Sequence, residues 1–149
     1  MTLKDNFFKN KNVFVTGHTG FKGSWLCIML NYLGAKVTGY SLKPEKKSLF
    51  QMAKLEKKIK KNYFNDIRNI SNLQKAIMNS NPDIIIHMAA QPLVLDSYKN
   101  TKYTYETNIL GTVNMLEIIK KFPKLKVKSI LVVTTDKVYN MGKKKIYNE

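Results

Sequence analysis

Gly17, Gly20 and Gly23 stand three residues apart, directly after the β-branched and aromatic run of residues 13–16. A backbone without side chains, placed where a strand gives way to a helix, lets an anion come close. The helix N-terminus then offers it unpaired N–H groups and a partial positive charge. In such a turn Gly17 permits the tight bend, Gly20 admits a pyrophosphate against the backbone, and Gly23 lets the helix pack on the strand. A glycine turn that holds no ligand is the alternative, and the strand before it, the helix after it and the later strands all count against that. No Gly-Lys-Ser/Thr follows at the spacing of a P-loop. The expected ligand is therefore a dinucleotide bound through its pyrophosphate.

These residues need a scaffold, and the chain alternates strand with helix. Residues 13–16 form a first strand that lacks polar alternation, as a strand buried on both faces does. Leu26, Leu30 and Leu33, with Met29 beside them, give helical spacing over residues 20–33, and Gly34 closes that helix. A second strand spans residues 36–40. Pro44 marks a loop, and Leu49, Phe50, Met52, Ala53 and Leu55 suggest a short helix. Tyr63 and Phe64 lead a third strand into Asp66. Ser71 is expected to cap a helix carrying Leu73, Ala76 and Ile77, which Asn81-Pro82 ends. Residues 83–87 read as a buried fourth strand and residues 127–134 as a fifth. Tyr105, Ile109, Thr112, Leu116 and Ile119 mark one face of the long helix between them. The expected fold is α/β, a doubly wound parallel sheet of order 3-2-1-4-5 with its ligand at the switch between strands 1 and 4.

At 149 residues the chain is one domain's worth, with an ordinary 44% hydrophobic and 24% charged composition. Its longest apolar run, residues 25–30, is far short of the ~20 residues of a membrane span. The opening MTLKDNFFKNKNV has no apolar core of the kind a secretory signal needs, so a cytoplasmic protein is expected. The single cysteine, Cys27, falls in a helical pattern and reads as a small core-side residue rather than a reactive one. A formal net charge of +16 raises the question of nucleic acid. Against that, Arg68 is the only arginine, and the lysines are spread over many elements. Solvated faces explain them best, and a positive field that draws in an anionic nucleotide is the milder functional reading.

The ordered set of motifs adds to this. Thr16 ahead of G-x-x-G-x-x-G, then Asp66-Ile67-Arg68, HMAAQ at residues 87–91 and TNILGT at residues 107–112 resemble the extended short-chain dehydrogenase/reductase family. Within it, TGHTGFKGSWL, VTGYSL, HMAAQPLV and TTDKVY resemble the CDP-glucose 4,6-dehydratases. The resemblance covers residues 11–139 and implies NAD as cofactor, a nucleotide-sugar substrate such as CDP-glucose, and a homo-oligomeric full-length form. No metal, nucleic-acid or membrane partner is expected.

The resemblance also implies roles. Gly17, Gly20, Phe21, Lys22 and Gly23 would lie along the NAD pyrophosphate. Asp66 would accept from the adenine amino group with the Ile67 backbone beside it, or else serve as a turn aspartate. Ala89 and Ala90 would leave room for the cofactor, and Gln91 would be a polar group on the substrate side. His87 reads as a structural histidine rather than a proton carrier. Asn108 is either a packing residue or an organiser of the site.

A 4,6-dehydratase oxidises the sugar at C4 with hydride transfer to NAD, loses the C5 proton with the C6 hydroxyl, and returns hydride to C6. Thr135 would hydrogen-bond the C4 oxygen and Asp136 would protonate the departing hydroxyl. Lys137 stands where dTDP-glucose dehydratases carry a glutamate, as a desolvated base or as an electrostatic partner of the enolate.

Two departures stand out. Ser41, Leu42 and Lys43 follow strand 2 where an acid would hold the adenosine ribose, and Leu95 and Asp96 follow QPLV where an arginine is expected. The family's catalytic Tyr-x-x-x-Lys belongs on the helix after strand 5. That spacing occurs at Tyr32/Lys36, Tyr98/Lys102 and Tyr139/Lys143, none of them in that context. The chain is thus expected to be the N-terminal, NAD-binding part of a dehydratase, truncated before the substrate-binding lobe. A fragment of an NAD(P)-dependent nucleotide-sugar epimerase or reductase and a non-catalytic dinucleotide-binding module are the other readings.

Overall fold

The computed structural model describes residues 6–135. Its five strands are β1 (Asn12–Thr16), β2 (Lys36–Ser41), β3 (Lys61–Phe64), β4 (Ile84–His87) and β5 (Ser129–Val132). All pair in parallel in the order β3-β2-β1-β4-β5, as expected. Thr16 lies opposite both Tyr40 and His87, and His87 opposite Val132. The carboxyl ends of the strands therefore share one edge, and the order reverses between β1 and β4.

The central strands β1, β2 and β4 are buried on both faces because both are covered. Val13, Val15, Val37, Ile84 and Ile86 pack with Cys27 and Leu30 of α1 (Phe21–Tyr32) and with Phe50, Leu55 and Ile59. Phe14, Tyr40 and Ile85 point the other way, onto Leu73, Ala76 and Ile77 of a helix over Ile70–Ser80 and onto Met115 and Ile118 of one over Gly111–Lys121. Each such side chain, fully buried, contributes about 1.5–3 kcal/mol. Leu49–Met52 forms α2, followed by a 3-10 turn at Leu55–Lys57; Ile70–Ser80 is α3.

Several local expectations are corrected. Asn69, not Ser71, caps α3, its side chain accepting from the Asn72 N–H at 3.0 Å. A short helix α4 (Val94–Lys99), which the sequence reading left out, precedes the long one. The long helix is three segments in line: α5 (Thr101–Tyr105), a π-helical turn (Glu106–Leu110) and α6 (Gly111–Lys121). Its inward face carries Thr107, Gly111, Met115 and Ile118, whereas Tyr105, Ile109 and Leu116 are exposed. Three residues of the expected stripe therefore lie on the outer face, while Ile119 packs at the edge of the core. A Cβ on Gly111 would lie 2.8 Å from Ile67 Cγ2, so at that position the helix sits too close to the β3 loop for a side chain.

Candidate functional site

The glycine turn sits at the carboxyl end of β1. Gly17 has φ +73°, and a Cβ there would come within 2.8 Å of the Met88 and Ala89 backbone. It is glycine for the bend and also for the close approach of the loop after β4. A Cβ on Gly23 would meet the Gly17 carbonyl oxygen, so α1 packs directly against the turn. Gly20 differs from both. Its φ of −71° and ψ of 167° suit any residue, and the nearest atom to an added Cβ is the Gly17 oxygen at 3.4 Å. Gly20 is the N-cap of α1 with no side-chain cap, and the first turn holds no acid. Ser24 N–H returns to the Gly20 carbonyl at 2.8 Å, which leaves the N–H groups of Phe21, Lys22 and Gly23 ahead of the helical ladder. Phe21 and Lys22 are exposed and Gly23 is buried.

Thr16 ties β1 to β4. Its Oγ1 accepts from the Met88 and Ala89 N–H groups, both at 3.0 Å, and lies 2.7 Å from His87 Nδ1. Having accepted twice, the hydroxyl donates to the ring, so His87 carries its proton on Nε2 and that N–H donates to Thr112 Oγ1 at 3.0 Å. Thr112 in turn donates to the Asn108 carbonyl at 2.9 Å. His87 is 2% exposed, and burial lowers its pKa. It is a satisfied neutral histidine.

On the β2–β3 side, Thr19 Oγ1 lies 2.8 Å from Ser41 Oγ and donates to the Leu42 carbonyl at 3.0 Å. His18 is fully buried with its ring over Gly39, and its Nε2 pairs with Asn62 Oδ1 at 3.0 Å. Burial outweighs that bond and the nearby Tyr40 carbonyl, bringing its pKa down to about 4.

Asp66 follows β3. Its carboxylate accepts from the Arg68 N–H at 2.9 Å and from the Arg68 guanidinium through Nε at 3.1 Å and Nη2 at 2.8 Å. These bonds lower its pKa, although partial burial opposes them. The Tyr40 hydroxyl donates to the Asp66 carbonyl at 2.9 Å, and Ile67 is buried beneath Gly111. Tyr40 and Arg68 are contributors to which the sequence motifs alone assign no role. The signal for the second was present: it is the one arginine in a chain that otherwise uses lysine.

Beyond β4, Ala89 is half-buried and Ala90 exposed. Asn108, in the π-helical turn, clamps the backbone of Gln91, accepting from its N–H at 2.7 Å and donating to its carbonyl at 3.1 Å. The Gln91 amide is itself engaged with Leu93 and Thr104. Thr135 is exposed just past β5, while Asp136 and Lys137 lie outside the described residues. The Gly17–Gly23 turn, Asp66, Ile67 and the Ala89–Gln91 loop thus share the carboxyl edge of the sheet, on either side of the switch between β1 and β4.

The family model for GDP-mannose 4,6-dehydratase matches residues 14–149. The CDP-glucose 4,6-dehydratase of Salmonella typhimurium is 45% identical over 139 residues, 93% of this chain and 38% of that protein. The dTDP-D-glucose 4,6-dehydratase of Dictyostelium discoideum is 32% identical over 145 residues, 95% of this chain and 32% of that protein. Among solved structures, UDP-glucose 4-epimerase from Bifidobacterium longum in complex with NAD+ and UDP aligns with a TM-score of 0.76 at 26% identity. That alignment covers 92% of this chain and 41% of the epimerase chain. The chain therefore spans well under half the length of these relatives. Because the family match begins inside β1 and runs through the glycine turn and the four remaining strands, the chain belongs to the GDP-mannose 4,6-dehydratase family.

Proposed function

We propose that this chain is the cofactor-binding part of an NAD-dependent nucleotide-sugar 4,6-dehydratase that converts CDP-glucose to CDP-4-keto-6-deoxyglucose, a sugar precursor for surface polysaccharide. The observation that carries it is Gly20. Neither its backbone angles nor any neighbouring atom of the chain requires a glycine, yet it is bare, at the head of a helix without a cap. A backbone kept open without internal cause suits a ligand from outside, and free N–H groups at a helix N-terminus suit an anionic one.

The same edge fits NAD in its other parts. Asp66 is an ionised acceptor for the adenine amino group, and the small Ala89 and Ala90 leave the β4 loop open. In place of the acid missing after β2, the Thr19–Ser41 hydroxyl pair offers polar groups near the ribose. NAD, when bound, takes up hydride from the sugar and gives it back. Thr135 would hold the C4 oxygen, Asp136 would protonate the leaving C6 hydroxyl, and Lys137 would act as base or stabilise the enolate. The 45% identity to the Salmonella CDP-glucose enzyme favours dehydration of CDP-glucose over epimerisation.

Calorimetric titration of the chain with NAD tests the cofactor reading. Binding is expected in the parent, and Gly20→Val is expected to abolish it by putting a side chain into the pyrophosphate position. Unchanged affinity in Gly20→Val overturns the assignment. In a longer chain that carries this segment and turns over CDP-glucose, Asp136→Asn is expected to keep NAD affinity and lower turnover by about 10²–10⁴-fold. A parental rate in that variant removes Asp136 from the chemistry.

A further inference from the structure

Among the 26 lysine and arginine side chains of the protein the single arginine is Arg68, and its contacts call for a flat, forked cation. Its Nε and Nη2 bind the Asp66 carboxylate side-on, its own backbone N–H binds Asp66 Oδ1, and its Nη1 reaches Glu106 Oε2 at 2.9 Å. The guanidinium carbon lies 4.5 Å from the centre of the Tyr103 ring, which backs the fork from the α5 side. Lysine, a point charge on a flexible stem, cannot make this set of contacts.

We infer that Arg68 is a positioning residue for base recognition: it fixes the Asp66 carboxylate as an oriented, ionised acceptor and thereby sets a preference for a 6-amino over a 6-oxo purine. This rests on the NAD reading above. A carboxylate has about four acceptor directions. Three Arg68 hydrogens take up the carboxylate: the backbone N–H on Oδ1 at 2.9 Å, Nη2 on Oδ2 at 2.8 Å, and Nε shared between the two oxygens at 3.1 Å each, so about one acceptor direction is left for a ligand. A donor such as the adenine 6-amino group fits that remainder, whereas the 6-oxo group of hypoxanthine would face it lone pair to lone pair. The Tyr40 hydroxyl holds the Asp66 carbonyl, and Glu106 holds the far side of the fork against the π-helical turn. The carboxylate thus has little freedom to turn its remaining lone pair elsewhere.

The groups that bear on Asp66 are Arg68 from its own loop, Tyr40 from β2, and Glu106 with Tyr103 from the long helix. Lys102 lies 3.8 Å from Glu106. None of these except Arg68 binds the carboxylate itself, so removal of the fork is the specific perturbation.

The test compares the affinity of the protein for NAD and for nicotinamide hypoxanthine dinucleotide in the parent, Arg68→Lys, Arg68→Gln and Asp66→Asn. The parent is expected to prefer NAD by about tenfold or more, the worth of one hydrogen bond to a charged group. Both Arg68 variants are expected to fall below about threefold while still binding each dinucleotide. Parental discrimination retained in either Arg68 variant overturns the inference. Parental discrimination in Asp66→Asn, or no NAD binding by the parent, overturns instead the NAD assignment on which it rests. A second readout needs no variant. The Asp66 carboxyl carbon, followed by NMR against pH, should titrate below the ordinary 3.8. A midpoint at or above 3.8 shows that the fork does not hold the carboxylate and overturns the inference as well.

Discussion

At Gly17 and Gly20 the same residue type serves opposite needs, and substitution separates them. Gly17→Ala forces a side chain into a left-handed conformation and against the Met88–Ala89 backbone. It is expected to cost roughly 2 kcal/mol or more in denaturant unfolding. Gly20→Ala meets only an ordinary contact and is expected to leave stability within about 0.5 kcal/mol while weakening NAD binding. Equal loss of stability in both variants would contradict the distinction. His18 makes a pH prediction. Its folded pKa of about 4 lies below the ordinary 6.5, so the unfolded chain binds the proton more readily between those values. The stability it contributes is fully present above about pH 6.5 and is lost as pH falls towards 4, up to roughly 3 kcal/mol. Chemical denaturation across that window should show the decline, and His18→Phe should flatten part of it; an unchanged slope would rule His18 out as its source. What was legible at this scale was what spacing encodes: the three glycines, the core cysteine and the satisfied His87. Arg68 was not read as part of a site. Its partners Asp66 and Glu106 are brought together by the packing of two elements that no local pattern joins.

The long helix shows where element-scale reading fails. Hydrophobic periodicity selects Tyr105, Ile109, Thr112, Leu116 and Ile119 as the core face; Ile119 packs at the edge of the core, but Tyr105, Ile109 and Leu116 are exposed and the molecule buries Thr107, Gly111 and Met115 instead. Periodicity assumes that the bulkiest apolar residues face the sheet. Here the helix approaches so closely at one point that glycine must sit over Ile67, and that contact turns Gly111, with Met115 and Ile118 beyond it, towards the sheet. The strands were easier because the three central ones are buried on both faces, and a parallel sheet admits few orders once five strands alternate with helices. The close approach predicts a paired effect. Gly111→Val should push α6 off the β3 loop and destabilise the protein by about 1–3 kcal/mol, as overpacking does. Ile67→Ala in the same chain should recover part of that loss, because it removes the atoms the new side chain meets. Additive losses in the double variant, measured by a denaturant-unfolding cycle, would show that the two residues are not in contact in the way described.

At the scale of the molecule, charge and apolar surface oppose each other. Phe21, Trp25, Met29 and Tyr32 are all exposed along α1, and Leu131 and Val133 are exposed at β5. The α1 residues recur at helical spacing along one side of the helix and Leu131 and Val133 lie on an edge strand, and exposed apolar surface of either kind favours association. The net charge of +16 resists it. Charges at the surface are screened beyond about 10 Å at 0.1 M salt, so the repulsion fades with ionic strength while the apolar contribution does not. The polypeptide of residues 1–149 is therefore expected to be smallest at low salt and to form oligomers as salt rises, which light scattering would follow. A salt-independent monomer would show that this surface does not drive association. The same polypeptide is expected to bind NAD without forming a 4-keto-6-deoxy product from CDP-glucose. Tyr32 and Lys36 are divided between α1 and β2, and Tyr98 and Lys102 between α4 and α5, so neither pair sits on one helix beside the glycine turn. The third pair, Tyr139 and Lys143, lies outside the described residues; among the described residues no such pair stands ready to take the C4 hydroxyl proton as hydride departs. Product formed by the purified 149-residue chain would mean that another residue supplies that base, and the search for it would begin at Thr135 and the two residues that follow.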